Sequence, residues 1–271
     1  MNIHTKDIEL FTKLKEVTIY KSVIGSHLYQ NNTSTSDIDY LSIYVPSKSE
    51  MNTAFPSHHQ IQYKDIENNI DWNFTNIFTF FKNLINGDSP VNFEIIHNIE
   101  LKNSALYFLY DMRNDFYNYK ILKSYLGIAR KDLREMNKQS DFIKEKKKLT
   151  HAYRGLKFYE EILSGNLNIK INDKLKNDIN YIKSLEKNKE YFDIIKETKE
   201  KIEEKRKELT DLYNSKKLIY PNFMIPQKQK ELDEKLYEII SSEFWNKNTN
   251  WILNMEMFYD INENIIIEYD L

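Results

Sequence analysis

The sequence has 271 residues, 41% of them hydrophobic and 30% charged, with a formal net charge of -2, which together predict a globular protein of one large or two modest domains. The balanced charge excludes a global basic field that attracts nucleic acid, and the absence of cysteine excludes disulfides and cysteine-ligated zinc. No apolar run is long enough to span a membrane and the N-terminus lacks a signal-peptide core, so we expect a cytoplasmic protein without a membrane partner.

The first elements along the chain are a predicted helix, a strand, a turn and a second strand. Asp7–Glu16 carries apolar residues at helical spacing. Thr18–Ile24 is β-branched and apolar, which is typical of a short buried strand, and it stops at Gly25, where the backbone can bend sharply. After a loop rich in Asn, Ser and Thr, the alternation from Asp37 to Val45 predicts the second strand.

Two carboxylates lie at the start of this second strand. Residues two apart in a strand share a face, so Asp37 and Asp39 point the same way. Because adjacent carboxylates repel each other and are costly to bury, we expect a cation between them. Mg²⁺ or Mn²⁺ would bind these carboxylates together with substrate phosphates, which the backbone of Gly25 and the hydroxyl of Ser26 could hold. The same Asp-x-Asp pattern is also common at turns and strand edges, so a purely structural interpretation stays open.

This stretch resembles the DNA polymerase β-like nucleotidyltransferase superfamily, whose signature is Gly-Ser, a loop and then Asp-x-Asp at the start of a strand. The variant here, Gly25-Ser26-His27-Leu28-Tyr29 followed by Ser36-Asp37-Ile38-Asp39-Tyr40, is most similar to nucleotidyltransferases of bacteria and phages, some of them associated with RNA repair. Gln30 stands where that group usually has glycine. The resemblance implies an α+β fold, in which a small nucleotidyltransferase palm with a short mixed sheet is followed by an α-helical domain.

A third carboxylate is expected from the next strand or pair of strands, Gln60–Trp72. Phosphoryl transfer with two metal ions needs carboxylates from neighbouring strands. Asp65, Glu67 and Asp71 share the same parity in this stretch. The resemblance implies Asp71, because the third Asp of the family stands just before a helix. The alternative is that Asp71 caps that helix, in which case Asp65 or Glu67 is the ligand.

Two helices are predicted to follow. Apolar residues recur at helical spacing from Phe74 to Ile85, and Gly87 is placed to end this helix. Ser89-Pro90 then begins a second helix, with proline at a tolerated first-turn position. The whole stretch Asp71–Ile96 resembles the corresponding segment of the family.

The rest of the chain has a helical pattern, so we predict a nucleotidyltransferase palm domain over residues 1–110 and a helical C-terminal domain over residues 111–271. Leu175–Leu212 is predicted as a highly charged, solvent-exposed helix. A final helix over Glu231–Phe244 and a terminal strand over Ile265–Tyr269 complete the prediction.

The helical pattern around Lys147–Leu163 places a cationic stripe opposite an apolar face. The stripe consists of Lys147, His151, Arg154 and Phe158, and we expect it to face away from the core. Such a stripe is either a solvated surface or a set of contacts that hold triphosphate oxygens across the cleft between the domains. The spacing of Lys, His and Arg resembles a helix of the same family.

These observations predict an enzyme that transfers a nucleoside monophosphate from a nucleoside triphosphate such as ATP to a hydroxyl group. The expected catalytic and metal-binding residues are Asp37, Asp39 and Asp71, and the expected nucleotide-binding residues are Gly25, Ser26, Lys147, His151 and Arg154. By resemblance the leading acceptor is an RNA 3′ end, such as that of a tRNA. A protein or small-molecule hydroxyl, as in toxin-like relatives, stays open.

Two classes of non-enzymatic function compete with this prediction. A catalytically silent nucleotide- or RNA-binding module is disfavoured, because a binder need not keep a repulsive carboxylate pair. A helical interaction protein accounts for the C-terminal half of the chain but leaves the Gly-Ser and Asp-x-Asp residues unexplained.

Overall fold

The computed structural model describes residues 5–29, 32, 36–46, 60–136, 138, 141–166, 172–217 and 226–243. The chain divides into two compact units, Met1–Asp233 and Glu234–Leu271. The predicted terminal strand at Ile265–Tyr269 lies outside the described residues. The predicted division into domains at residue 110 stays a prediction.

A mixed sheet of four strands forms the N-terminal part of the fold. Its strands are β1 (Thr18–Ile24), β2 (Ile38–Tyr44), β3 (Gln60–Asp65) and β4 (Ile70–Asn76). Their order in the sheet is β1-β2-β4-β3, with β2 and β4 parallel and the other two pairs antiparallel. The predicted first and second strands are confirmed, and the next predicted segment is a pair of strands.

Helices cover the sheet and form the rest of the described chain. They are α1 (Thr5–Glu16), α2 (Gly25–Leu28), α3 (Ile77–Ile85), α4 (Pro90–Ile95), α5 (Tyr107–Asp111), α6 (Tyr119–Met136), α7 (Phe142–Leu163), α8 (Asp173–Ser184), α9 (Lys189–Asn214) and α10 (Pro226–Glu243). The predicted α+β class is thereby confirmed. Among the described helices, none combines the length and apolar character needed to cross a membrane.

The two faces of the sheet differ in chemistry, because side chains alternate along each strand. One face is aromatic and is covered by α1. There, Phe11 of α1 stacks on Tyr63 with 3.9 Å between ring centroids and meets the ring of Trp72 at 5.5 Å. The other face carries Asp39 and Asp71, which pair in register across β2 and β4. The sheet therefore separates a hydrophobic cluster from an acidic one.

The start of α3 corrects one prediction and excludes one alternative. The sequence pattern predicts Phe74 within the helix, but the residue lies in β4, which continues to Asn76. Asn76 caps α3, because its Oδ1 accepts a hydrogen bond from the backbone N–H of Thr79 at 2.7 Å. Asp71 lies inside β4 and does not cap the helix, so that alternative is wrong.

The highly charged stretch Leu175–Leu212, predicted as one helix, is divided between α8 and α9. The division has a local cause. The side chain of Asn188 accepts a hydrogen bond from the backbone N–H of Tyr191 at 3.1 Å, and this cap starts a new helix. The charged pattern predicted helix correctly but gave no sign of the break.

Gly87 ends α3, as predicted, and its conformation explains why glycine is needed there. Its φ angle is +63°. Its N–H donates to the carbonyl of Leu84 at 3.2 Å, and the N–H of Asp88 donates to the carbonyl of Asn83 at 2.9 Å, which is a Schellman motif. A Cβ at this position would lie 2.6 Å from the backbone nitrogen of Ile121.

We expect Gly87→Ala to lower the free energy of unfolding by at least about 1–2 kcal/mol, the cost of a left-handed backbone for an L-residue, before the clash is counted. Gly127→Ala is the matched control, because a Cβ at Gly127 in α6 meets no other group within 4 Å. That control should gain about 0.5–1 kcal/mol. Urea denaturation of both variants checks the difference, and a loss of equal size in both would contradict it.

Candidate active site

A row of residues in register across the sheet defines the candidate site. Ile24 of β1 pairs with Asp39 of β2, Asp39 pairs with Asp71 of β4, and Asp71 pairs with Lys64 of β3. Residues paired in this way point to the same face of a sheet. The topology therefore brings together side chains that are far apart in the sequence.

Asp37 joins Asp39 and Asp71 at this row, and we refer to these three residues as the acidic cluster. One carboxylate oxygen of each residue lies within 4.8 Å of the corresponding oxygens of the other two. All three side chains are partly buried. The structure thus brings the predicted catalytic residues into one place.

The alternatives for the third carboxylate are Asp65, the last residue of β3, and Glu67, in the turn between β3 and β4. Asp65 accepts hydrogen bonds from the backbone N–H and the side-chain Nδ2 of Asn68, at 3.1 and 2.9 Å. These bonds hold the pKa of Asp65 below its usual range. Glu67 is exposed. Although Asp65, Glu67 and Asp71 are an even number of residues apart, they do not share one face of the sheet. The chain turns between Asp65 and Asp71, with Asn69 at a φ of 55°.

The electrostatics of the acidic cluster fit a divalent cation. Burial, followed by repulsion from Asp37, raises the pKa of Asp39. Asp71 Oδ2 is 3.1 Å from Lys64 Nζ, but Asp71 Oδ1 is buried without a hydrogen-bond partner among the described residues. Because buried polar atoms in proteins normally have a partner, this oxygen is a candidate to bind a cation. Oxygens bound to one Mg²⁺ at about 2.0–2.1 Å lie about 3–4 Å apart, and the oxygens of the acidic cluster all lie within 4.8 Å of one another.

The turn α2 lies directly against the acidic cluster. Gly25 has a φ of +63°, and a Cβ there would be 2.8 Å from Asp39 Oδ2, so only glycine permits this close approach. Ser26 and His27 follow in the same turn. His27 Nε2 is buried without a hydrogen-bond partner among the described residues, and His27 lowers the pKa of Asp39. Sequence reasoning missed His27, although it lies inside the motif.

Tyr29, at the end of this turn, is anchored by a buried carboxylate. Its hydroxyl donates to Glu94 Oε2, and the hydroxyl of Tyr125 in α6 donates to Glu94 Oε1 at 3.1 Å. Glu94 in α4 is only 7% exposed, and this burial raises its pKa. Arg154 of α7 opposes that shift, and its guanidinium lies 4.1 Å from the centre of the Tyr29 ring. The turn is therefore tied to α4, α6 and α7.

The predicted stripe of α7 only partly matches the structure. Lys147 is exposed and His151 and Arg154 are partly buried, but Phe158 is 2% exposed. The ring of Phe158 lies 5.9 Å from the ring of Tyr29. The prediction that the stripe faces away from the core is wrong, because this side of α7 packs against the end of the α2 turn.

Lys183 of α8 adds a third charged residue to Lys147 and Arg154 of α7, and we refer to these three, together with the uncharged ring of His151, as the cationic cluster. The end of α8 is held beside α7, since Lys146 Nζ donates to the carbonyls of Lys183 and Leu185 at 2.7 and 3.2 Å. Burial, followed by the charges of Arg154 and Lys147, lowers the pKa of Lys183. Like charges that are partly withdrawn from water favour a bound anion between them.

Two histidines are held neutral by their surroundings. Burial, followed by the charges of neighbouring Arg and Lys residues, lowers the pKa of His151 to about 3. Burial also lowers the pKa of His97 to about 4. The His97 ring lies between two partners, with Nδ1 2.8 Å from the carbonyl of Phe93 and Nε2 2.9 Å from the hydroxyl of Tyr117.

We expect the protein to lose stability as the pH falls from about 6.5 towards 4. Between the unfolded pKa of His97, 6.5, and its folded value of about 4, the unfolded chain binds the extra proton. At about 1.4 kcal/mol per pKa unit, the full loss for such a histidine is about 3 kcal/mol. Urea midpoints at pH 7.5 and 5 measure the part of this loss that falls above pH 5, which is about 2 kcal/mol. His97→Gln should shrink the difference between the two midpoints, and an unchanged difference would contradict this assignment.

Comparison with known proteins places the chain in a family. Residues 4–236 match the RNA repair pathway DNA polymerase beta family, RlaP. Over 126 residues the chain is 32% identical to an uncharacterized 38.9 kDa protein from the nrdC-mobD intergenic region of Enterobacteria phage T4, and this alignment covers 42% of the chain and only 37% of the relative.

A crystal structure of a nucleotidyltransferase-like protein from Exiguobacterium sibiricum 255-15 aligns with 98% of this chain and 89% of that one, at 10% identity and a TM-score of 0.27. The family match spans most of the chain and includes both the acidic and the cationic cluster. The chain therefore belongs to the RNA repair pathway DNA polymerase beta family.

Proposed function

We propose that the protein is a metal-dependent nucleotidyltransferase that moves a nucleoside monophosphate from a nucleoside triphosphate to the 3′ hydroxyl of an RNA. The observation that carries this proposal is the convergence of Asp37, Asp39 and Asp71 beside the α2 turn, in a chain of this family. The link of the family to RNA repair supports an RNA acceptor, with a tRNA as one candidate.

The acidic cluster is the proposed metal site. Two Mg²⁺ or Mn²⁺ ions bound there would supply positive charge that acidifies the acceptor hydroxyl and stabilises the leaving pyrophosphate. The cluster suits this task because Asp71 has a buried oxygen without a partner among the described residues. Burial and repulsion from Asp37 raise the pKa of Asp39, and a bound cation would stabilise its charged form.

The α2 turn and the cationic cluster form the proposed binding site for the triphosphate. The turn offers the backbone of Gly25, the hydroxyl of Ser26 and the ring nitrogen of His27, which is buried without a partner among the described residues. The charge of Lys147 opposes the upward shift in the pKa of Asp39, which supports a position of its ammonium group near the acidic cluster. Arg154 adds a planar group with several donors, the geometry that best matches phosphate oxygens.

The reaction follows from this arrangement. The oxygen of the acceptor hydroxyl forms a bond to the α-phosphorus while the bond from that phosphorus to the bridging oxygen breaks. The electron pair of the broken bond leaves with pyrophosphate, and the proton of the hydroxyl passes to a carboxylate of the acidic cluster. The residues of the protein position the reactants and stabilise charge, which is the main contribution that enzymes make to phosphoryl transfer.

Labelling identifies both substrates. The full chain is incubated with each α-labelled nucleoside triphosphate, Mg²⁺ and total RNA, and the expected result is label at RNA 3′ ends that a 3′ exonuclease releases. Chelation of the metal should abolish it. Label in a protein or a small molecule would replace RNA as the acceptor. Nucleotide binding without any transfer would instead support a catalytically silent binding module.

A further inference from the structure

Lys64 lies at the opposite end of the acidic cluster from the proposed triphosphate site. Across the sheet the register row runs Ile24, Asp39, Asp71, Lys64. The α2 turn continues directly from Ile24, so the groups that would hold the triphosphate lie at the β1 end of the row. Lys64 lies at the other end, on the edge strand β3.

The contacts of α7 also support a triphosphate site at the β1 end of the row. Arg154 stacks on Tyr29, which directly follows the α2 turn. Through Arg154, the cationic cluster therefore meets the end of the α2 turn. At the β3 edge, Lys64 Nζ lies 3.1 Å from Asp71 Oδ2, with 60% of the lysine side chain exposed to solvent.

The chemistry of phosphoryl transfer relates the two ends. The attacking and leaving oxygens lie roughly in line, on opposite sides of the phosphorus. A pyrophosphate that leaves towards the α2 turn therefore requires an acceptor that arrives from the β3 end. We propose that Lys64 binds the phosphodiester backbone of the RNA acceptor beside its terminal nucleotide, and so orients the 3′ hydroxyl. This inference rests on the proposed function and adds the direction of approach and the residue that contacts the RNA.

The properties of Lys64 suit this role. An RNA backbone that approaches three carboxylates is repelled by them, and a positive charge at the same edge offsets the repulsion. Lysine is a flexible point charge, which matches a phosphate whose exact position depends on the RNA.

The test compares two lysines on opposite faces of the sheet. Lys64→Gln removes the proposed contact. Lys21→Gln removes the same charge from the aromatic face, where Lys21 Nζ lies 4.5 Å from the Tyr40 ring centre and 5.1 Å from that of Trp72. KM for RNA and for the nucleoside triphosphate are measured in the transfer assay. Binding of a labelled single-stranded RNA is measured by fluorescence anisotropy over a series of salt concentrations.

We expect Lys64→Gln to raise KM for RNA about tenfold, the effect of one charged contact, with KM for the nucleotide unchanged. The salt dependence of RNA binding should fall by about 0.7 in the slope of log K against log salt, the value for one phosphate of a single strand. Lys64→Arg should restore most of both effects, and Lys21→Gln should resemble the parental protein.

Other results would overturn the inference. If KM for the nucleotide rises while the salt slope for RNA is parental, Lys64 only compensates the charge of Asp71. If the parental chain labels RNA but Lys64→Gln leaves KM for RNA and the salt slope unchanged, the inference is wrong and the proposed function stands. If the parental chain labels no RNA at all, the proposed function is wrong and the inference is wrong with it.

Discussion

Asp39→Asn should abolish nucleotidyl transfer while the fold survives. The substitution removes a charge from the acidic cluster without removing volume, and we expect a loss of at least about 10²–10³-fold in turnover, the size seen when one preorganised stabilising group is removed. The melting temperature should be unchanged or slightly higher. Burial and repulsion from Asp37 raise the pKa of Asp39, so its charged form is unfavourable in the protein without bound metal.

Asp65→Asn is the matched control for this variant. It makes the same chemical change at the end of β3, outside the acidic cluster, where the carboxylate accepts hydrogen bonds from Asn68. Turnover should stay near the parental value, with a small loss of stability. Titration of Mn²⁺ by calorimetry adds a readout that does not depend on activity, and Asp39→Asn should weaken this binding. Parental turnover and parental Mn²⁺ affinity in Asp39→Asn would exclude the metal role.

Glu94→Ala should destabilise the fold more than Gly87→Ala or Asp39→Asn. Tyr29 and Tyr125 would lose the acceptor for their buried hydroxyls, and Arg154 would lose the negative charge that it faces. Breaking a buried charge network by removing one partner costs about 3–5 kcal/mol. At about 2–4 °C per kcal/mol for a chain of this size, the melting temperature should fall by roughly 6–20 °C, measured by thermal denaturation.

Two further variants make this result specific. Glu100→Ala removes a carboxylate that is exposed on the segment after α4 and should change stability by no more than about 0.5 kcal/mol. Glu94→Gln keeps an acceptor oxygen for only one of the two tyrosines, so its loss should lie between that of Glu94→Ala and the parental protein. A Glu94→Ala protein that melts like Glu100→Ala would show that the network contributes nothing to stability.

The parts of the fold that the sequence predicted depend on local signals. Three local signals each specify structure within a few residues, and each is found in the structure: the β-branched and apolar residues from Thr18 to Ile24, the glycine at Gly87 and the start of a helix at Ser89. Asp37 and Asp39 belong to one motif, so their proximity could be predicted. Their meeting with Asp71 followed only from family resemblance, because nothing local fixes the pairing of β2 with β4.

The parts that the sequence did not predict depend on contacts between distant segments. Periodicity divides α7 into two sides but gives no indication that Phe158 packs against Tyr29. Lys64 lies opposite Asp71 because of the register in which β3 pairs with β4, and no local pattern in the sequence gives this register. In the sequence, nothing distinguishes Glu94 from other glutamates in short helices. Its role becomes visible only in the structure, where the hydroxyls of Tyr29 and Tyr125 donate hydrogen bonds to its carboxylate. Long-range packing, and not residue type, gives these side chains their roles.

The packing of the aromatic face also determines the strand register that brings the residues of the acidic cluster together. Because side chains alternate, a slip of β4 by one residue against β2 would carry Asp71 beneath Phe11 and bring Trp72 to the side chain of Asp39. A carboxylate among stacked rings is costly, so the misaligned sheet is unstable as well as inactive. Substitutions that weaken the aromatic face would therefore produce molecules with intact acids in the wrong places, and their loss of activity would follow the misaligned fraction of the protein.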